Sequence, residues 1–262
     1  MLKFTANLSL LFTEVALIDR FKAAKQADFN AVEIQFPYEL SATAIKEQLD
    51  EYGLKLVLFN VAAADLLQGG EGLACVPEKR DQFKQAVAQT VEYAQLLKPE
   101  AINVLPGRCL DNSRLEQYLE TFNENLCFAV KAFSSLGIKT VFEAINTHDM
   151  PGFIIYSGTQ MLSVLKQLKK PGLFMQYDIY HMQMMNEKPD EFIAEQADKI
   201  GHIQFADCPG RGQPGTGQVD FERMFLAIEG SSYSGWTGAE YKPVGTTAES
   251  LDWLAPKHQL KK

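Results

Sequence analysis

Residues 4–14 read FTANLSLLFTE. A short apolar, strand-like segment, Phe4 to Asn7, passes into a helical pattern from Val15 with no glycine between them. An open doubly wound sheet announces itself at this place with a glycine-rich turn that lets the backbone approach a phosphate. The turn NLSLLFTE has none, so the first connection points away from that fold. The number of strand–helix units that follow then decides the architecture.

Further apolar runs fall at Ala31 to Gln35, Lys55 to Asn60, Ala101 to Leu105, Thr140 to Ala144, Leu173 to Asp178, His202 to Ala206 and Trp236 to Tyr241. Between and after them lie helical patterns near Val15 to Ala27, Ala42 to Tyr52, Glu78 to Leu97, Arg114 to Leu136, Gln160 to Lys169, Glu191 to Ile200, Phe221 to Ile228 and Ala248 to Leu254. Ser113 with Glu116, Ser157 with Gln160 and Thr246 with Glu249 have the spacing of capping boxes. Alternation of this kind implies parallel pairing, because each crossover returns the chain to the same edge. Eight units close into an α/β barrel of the (β/α)8 type, and 262 residues suit one. No Pro-, Gly- or Ser-rich linker divides the chain, so residues 1–262 are expected to form a single domain.

The formal charge of −8 argues against nucleic acid or an anionic membrane as partner, while leaving room for a small anionic ligand held by local cations. The four cysteines show no CxxC pair and read as free thiols of a reducing cytoplasm. The N-terminus, interrupted by Asn7, Ser9 and Glu14, reads as neither a signal peptide nor a spanning helix. The expected location is cytoplasmic.

Active sites of such barrels sit at the carboxyl ends of the strands. Side chains two apart on a strand share a face, which aligns Phe174, Gln176 and Asp178, then His202 and Gln204, then Trp236, Gly238, Glu240 and Lys242. Glu143, Asp178, Gln204 and Glu240 thus end the last four strands. Three carboxylates and an amide oxygen repel one another unless a cation joins them. All-oxygen ligation favours magnesium or manganese over zinc. The plain alternative, that each acid is neutralised by its own basic neighbour, is weaker for four such residues on consecutive strands than for any one of them.

The stretches ANLSLLFTE, FPYE, GLACVP, EAIN, MPGF, QYDIYHMQ, ADKIGHIQFAD, PGRGQPGTGQ and GAEYKP carry a further signal. From Met1 to about Trp253 the sequence resembles the hydroxypyruvate isomerase family of xylose-isomerase-like TIM barrels. The resemblance implies a TIM-type barrel that interconverts hydroxypyruvate and tartronate semialdehyde, within glyoxylate metabolism. It implies a divalent metal held by Glu143, Asp178, Gln204 and Glu240, with Glu143 and Glu240 as the catalytic acids and bases. Related barrels that isomerise 2-oxo-tetronates share these motifs.

The chemistry expected is metal-assisted proton transfer through an enediolate, one glutamate taking the proton from C3 and the other protonating C2. An anionic substrate also asks for cations. Arg211 in PGRGQPGTG, Arg108 in LPGR and Lys242 beside Glu240 are candidates, with His181 and Asp149 as further substrate contacts. His202, below Gln204, reads as a satisfied core histidine. The long connection from Val61 to Pro77 reads either as a lid over the mouth or as a fixed surface loop. A zinc-dependent apurinic endonuclease would want more histidines and a basic face. A Schiff-base aldolase would want a lysine inside the barrel. A catalytically silent sugar-acid binding barrel would ordinarily have lost Glu143 or Glu240. The sequence leaves the oligomeric state open.

Overall fold

The structure is a computed structural model and describes residues 2–254; Met1 and residues 255–262 of the expected 1–262 domain lie outside the described residues. Eight parallel strands close on themselves in chain order: β1 (Phe4–Asn7), β2 (Ala31–Ile34), β3 (Lys55–Asn60), β4 (Ala101–Val104), β5 (Lys139–Glu143), β6 (Leu173–Asp178), β7 (Ile200–Phe205) and β8 (Thr237–Ala239). The expected (β/α)8 barrel is present. Helices α1 (Leu17–Gln26), α2 (Ala42–Tyr52), α3 (Arg80–Leu97), α4 (Leu115–Ser134), α5 (Gly158–Leu168), α6 (Ile179–Met184), α7 (Pro189–Gln196) and α8 (Phe221–Gly230) follow the strands. Residues Ala248–Leu254, expected as an α-helix, form a 3₁₀ helix instead.

Local sequence explains several of these boundaries. Ser41 and Ser157 cap α2 and α5 by accepting from the N–H groups of Ala44 and Gln160. Thr246 and Glu249 make the expected reciprocal box, each accepting the other's backbone N–H. Ser113 does not cap α4. Asp111 takes the role two residues earlier, accepting from Ser113 N at 3.0 Å, so the chain enters through a short 3₁₀ turn at Asn112–Arg114. Gly53 ends α2 in the left-handed conformation that lacks a Cβ penalty there.

The register shifts at Val32/Glu33 and at Met175/Gln176, where β6 passes from pairing with Ile200 to pairing with His202. Gly201 is the residue skipped. A Cβ on it would lie 2.7 Å from Val141 Cγ1 and 2.8 Å from Phe174 Cβ, so only glycine admits this floor packing. The floor itself is apolar, built from Ala31, Val57, Leu58, Ala101 and Val141 with Phe174 and Trp236 against them. Above it the interior turns polar: Asn7, Glu33, Asn103, Gln176, His202 and Gln204 are buried, and the acids Glu143, Asp178 and Glu240 lie at the carboxyl ends. The main apolar core lies between the barrel wall and the helices, where Phe21, Phe122, Met161 and Ile193 are wholly buried.

Candidate active site

Glu143 is the last residue of β5 and Asp178 the last of β6, while Gln204 lies one residue before the end of β7 and Glu240 one residue beyond β8. All four are buried. Register sets Glu143 beside Gln176 and Asp178 beside Gln204, and hydrogen bonds join Glu143, Gln204 and Glu240 through Gln176. Glu143 Oε2 accepts from Asn103 Nδ2 (3.1 Å) and Gln176 Nε2 (2.9 Å). Gln176 Nε2 also donates to Gln204 Oε1 (2.6 Å). Gln204 Nε2 donates to Glu33 Oε1 (2.7 Å) and Glu240 Oε1 (3.2 Å). Glu240 Oε1 accepts again from Asn7 Nδ2 (2.9 Å) and Gln35 Nε2 (3.0 Å).

The four expected donors thus stand around one end of the shaft. Alternation missed Glu33, the carboxylate beneath them, which accepts from Asn7, Gln204 and His202. A charged residue in the middle of the apolar run AVEI was the signal available. Gly238 makes room for it, since a Cβ there would meet Glu33 Oε2 at 2.4 Å. His202 is the satisfied core histidine expected, its Nε2 2.7 Å from Glu33.

Burial dominates the electrostatics. It raises the Glu143 carboxyl well above the usual range, and the charges of Glu240 and Asp178 raise it further. Burial likewise pushes Asp178 up to about 7 despite the opposing pull of Arg211, and it raises Glu240 in the same balance. The Arg211 guanidinium pays a burial cost, but Glu240, Asp178 and Glu143 outweigh it and hold the charge in place. Arg211 Nη2 is hydrogen-bonded to Glu240 Oε2 and stands 3.7 Å from Asp178 Oδ2. Burial, then Arg211, lowers His181 well below its usual value.

A divalent cation fits this donor set. Asp178 Oδ1 is engaged by the N–H of Tyr180 at the start of α6, but its Oδ2 is buried with no hydrogen-bond partner. Glu143, Asp178 and His181 each offer an atom within 4.8 Å of the others. A doubly positive charge would relieve the mutual repulsion of the acids.

Of the remaining expected contacts, His181 and Asp149 line a cleft of about 130 Å³ together with Glu143, Arg211 and Glu240. Asp149 reaches His181 only through Asn146, and it also accepts from Tyr180 OH. Arg108 does not line the cleft: its guanidinium donates to the carbonyls of Gly69 (2.8 Å) and Pro151 (2.7 Å), tying two rim loops together. Lys242 is exposed and outside the cleft. The strand ended at Ala239, so alternation no longer governed its direction. The connection from Val61 to Pro77 is tied down. Asp65 accepts from Gly72 N and pairs with Lys79, and Glu71 accepts from Leu110 N and Tyr118 OH. Its Leu67 lines the cleft.

Residues 21–257 match the family model described as xylose isomerase-like TIM barrel. The chain belongs to the xylose isomerase-like TIM barrel family. It is 40% identical to hydroxypyruvate isomerase of Escherichia coli (strain K12), over 98% of this chain and 99% of that one. It is 36% identical to 2-oxo-tetronate isomerase of Pectobacterium atrosepticum, over 97% of each. Among solved structures, one described as AP endonuclease, family 2, from Brucella melitensis superposes with a TM-score of 0.93 at 33% identity, covering 98% of this chain and 99% of that chain. With such relatives over nearly all its length, the chain is an isomerase. Among the described residues no helix is long and apolar enough to cross a membrane.

Proposed function

We propose that the protein interconverts hydroxypyruvate and tartronate semialdehyde (2-hydroxy-3-oxopropanoate), using magnesium or manganese held by Glu143, Asp178, Gln204 and Glu240. The observation that carries this reading is the pair Glu143 and Glu240. Both are buried at one end of the barrel, beside a cleft, and burial raises both carboxyls above the usual carboxylate range. The 40% identity to the Escherichia coli hydroxypyruvate isomerase supports the substrate.

The bound cation supplies Lewis-acid stabilisation of negative charge on the substrate's neighbouring oxygens. The chain's own residues do the rest. One of Glu143 and Glu240 accepts the proton leaving C3, and the other delivers a proton to C2. The hydroxyl proton moves from the oxygen on C3 to the oxygen on C2, so the atoms balance without an oxidant. Arg211 has donor capacity in reserve, since its buried Nε has no partner, and a guanidinium fork suits the substrate carboxylate. Apolar Phe36, Leu105, Ile145 and Met150 line the same cleft and help exclude water.

A second reading, isomerisation of a 2-oxo-tetronate, is favoured by the 36% identity to the Pectobacterium enzyme. The endonuclease description of the Brucella structure is not carried over, because a net charge of −8 disfavours a polyanionic partner. Four free cysteines suit the cytoplasm as location.

The test is turnover of hydroxypyruvate in deuterated water with Mg²⁺ or Mn²⁺. Deuterium at the new C–H of the aldehyde is the expected result, and retention of the original hydrogen would overturn proton transfer in favour of a hydride shift. No turnover of hydroxypyruvate with ready turnover of a 2-oxo-tetronate selects the second reading. No exchange with either means a silent binding barrel.

A further inference from the structure

Asn146 lies three residues beyond Glu143 and is wholly buried. Its side-chain oxygen accepts from the backbone N–H groups of His148 (3.1 Å) and Asp149 (2.8 Å). A backbone N–H only donates, so the atom facing these two groups is the oxygen and the amide has one permitted orientation. Nδ2 then points the other way. It donates to Asp149 Oδ2 (3.0 Å) and stands 2.7 Å from His181 Nδ1. The backbone N–H of Asn146 adds a second, longer contact to the same ring nitrogen at 3.4 Å. A ring nitrogen that receives donors carries no proton of its own. The imidazole proton is therefore on Nε2, which lies 3.7 Å from Asp178 Oδ2 and 3.9 Å from Glu143 Oε1.

We propose that Asn146 is a positioning residue that locks His181 in its Nε2–H form, making His181 a fixed hydrogen-bond donor into the cleft and neither a metal ligand nor a base. The donor atoms of Glu143, Asp178 and His181 lie close enough together to suggest a three-residue metal site, and this tautomer takes His181 out of it. A ligating histidine gives its lone pair to the metal and donates its other N–H to a carboxylate or carbonyl. Here the second nitrogen accepts, which is the opposite polarity. Asp149 belongs to the same device: it takes hydrogen bonds from Asn146 and from Tyr180 OH (2.8 Å), fixing the amide that fixes the ring. The role of His181 towards a substrate oxygen rests on the isomerase reading above; the tautomer itself does not.

The test is long-range ¹H–¹⁵N correlation on metal-free, substrate-free protein labelled with ¹⁵N-histidine, with His181 assigned by its absence in His181→Asn. Protonated Nε2 and bare Nδ1 are expected, and a protonated Nδ1 overturns the proposal whatever the substrate proves to be. The exchange Asn146→Asp with Asp149→Asn reverses the polarity while conserving the groups present. It should move the proton to Nδ1 and lower kcat about 100-fold, the usual loss for one oriented donor. If that variant does not fold, Asn146→Ala replaces it, leaving only the weaker backbone donor and giving a mixture of tautomers. An unchanged tautomer in the variant that folds removes Asn146 from the role. Mn²⁺ affinity, read by electron paramagnetic resonance, should stay within about twofold in His181→Asn, and a loss beyond about tenfold would restore His181 as a ligand.

Discussion

Asp178→Asn should make the metal-free protein more stable and the metal-binding protein useless. The Asp178 carboxyl is pushed from 3.8 up to about 7. A carboxyl whose folded pKa lies above its unfolded one favours folding when protonated, and stability is lost as pH rises from the unfolded value through the folded one. At about 1.4 kcal/mol per pH unit, that displacement amounts to about 4 kcal/mol at pH ~8 and falls to less than half of that at pH ~5. Asparagine stands in for the protonated acid, because its oxygen can still accept from Tyr180 N. The variant should therefore exceed the native chain by about 4 kcal/mol near pH 8, the margin narrowing towards pH 5. His181, held below its usual value, works against the native chain as pH falls. It is present in both proteins, and removing the Asp178 charge also eases the Glu143 carboxyl which that charge raises, so the margin near pH ~8 reports Asp178 together with its repulsion of Glu143. Urea unfolding in excess chelator measures the margin. Added Mg²⁺ or Mn²⁺ should then stabilise the native chain and leave the variant unmoved. A variant less stable than the native chain near pH 8, or a margin that does not shrink with acid, would refute the view that Asp178 is an uncompensated buried charge awaiting a cation.

The other predictions are simpler. Glu143→Gln and Glu240→Gln should each lower kcat by a factor of about 100 to 10,000 while the protein still folds and unfolds cooperatively, as expected for loss of a general acid or base; near-native turnover in either removes that residue from the chemistry. Lys242→Ala should leave kcat and KM within about twofold, because an exposed side chain outside the cleft contributes little; a KM raised tenfold would return Lys242 to the substrate site.

Much of this was legible in the sequence, and the reasons are physical. Alternation along β6 and β7 put Gln176, Asp178, His202 and Gln204 indoors, because a strand in a closed sheet has only two faces and one of them meets the helices. The first turn, NLSLLFTE, spoke against a doubly wound sheet by its lack of glycine, and the eight strand–helix units pointed to the barrel. Legibility ended where strands did. Lys242 and Arg108 lie past the ends of β8 and β4, where chain direction is set by loop hydrogen bonds that no periodicity encodes. The amide of Asn146 between Asp149 and His181 has no sequence signal of its own, because its orientation is set by the loop backbone at His148 and Asp149. Glu33 escaped because His202 and Gln204, two of its partners, come from β7, far from it in sequence and not next to β2 in the barrel; only Asn7 lies on the adjoining β1. Helix α6 escaped too: six residues, capped by the same aspartate that ends β6, are too short to show a period.

The interlocked amides inside the shaft have a consequence for how such a protein can change. From Asn103 through Glu143, Gln176 and Gln204 to Glu33, each nitrogen faces an oxygen and each link dictates the next. Two donors converge on Glu143 Oε2, and from Gln176 the row runs one way through Gln204 to Glu33, so turning over the Gln204 amide would set nitrogen against nitrogen and oxygen against oxygen. Replacement of any member is thus an edit to the whole row, and descendants of this chain can acquire new chemistry more cheaply by reshaping the rim than by rewriting the interior.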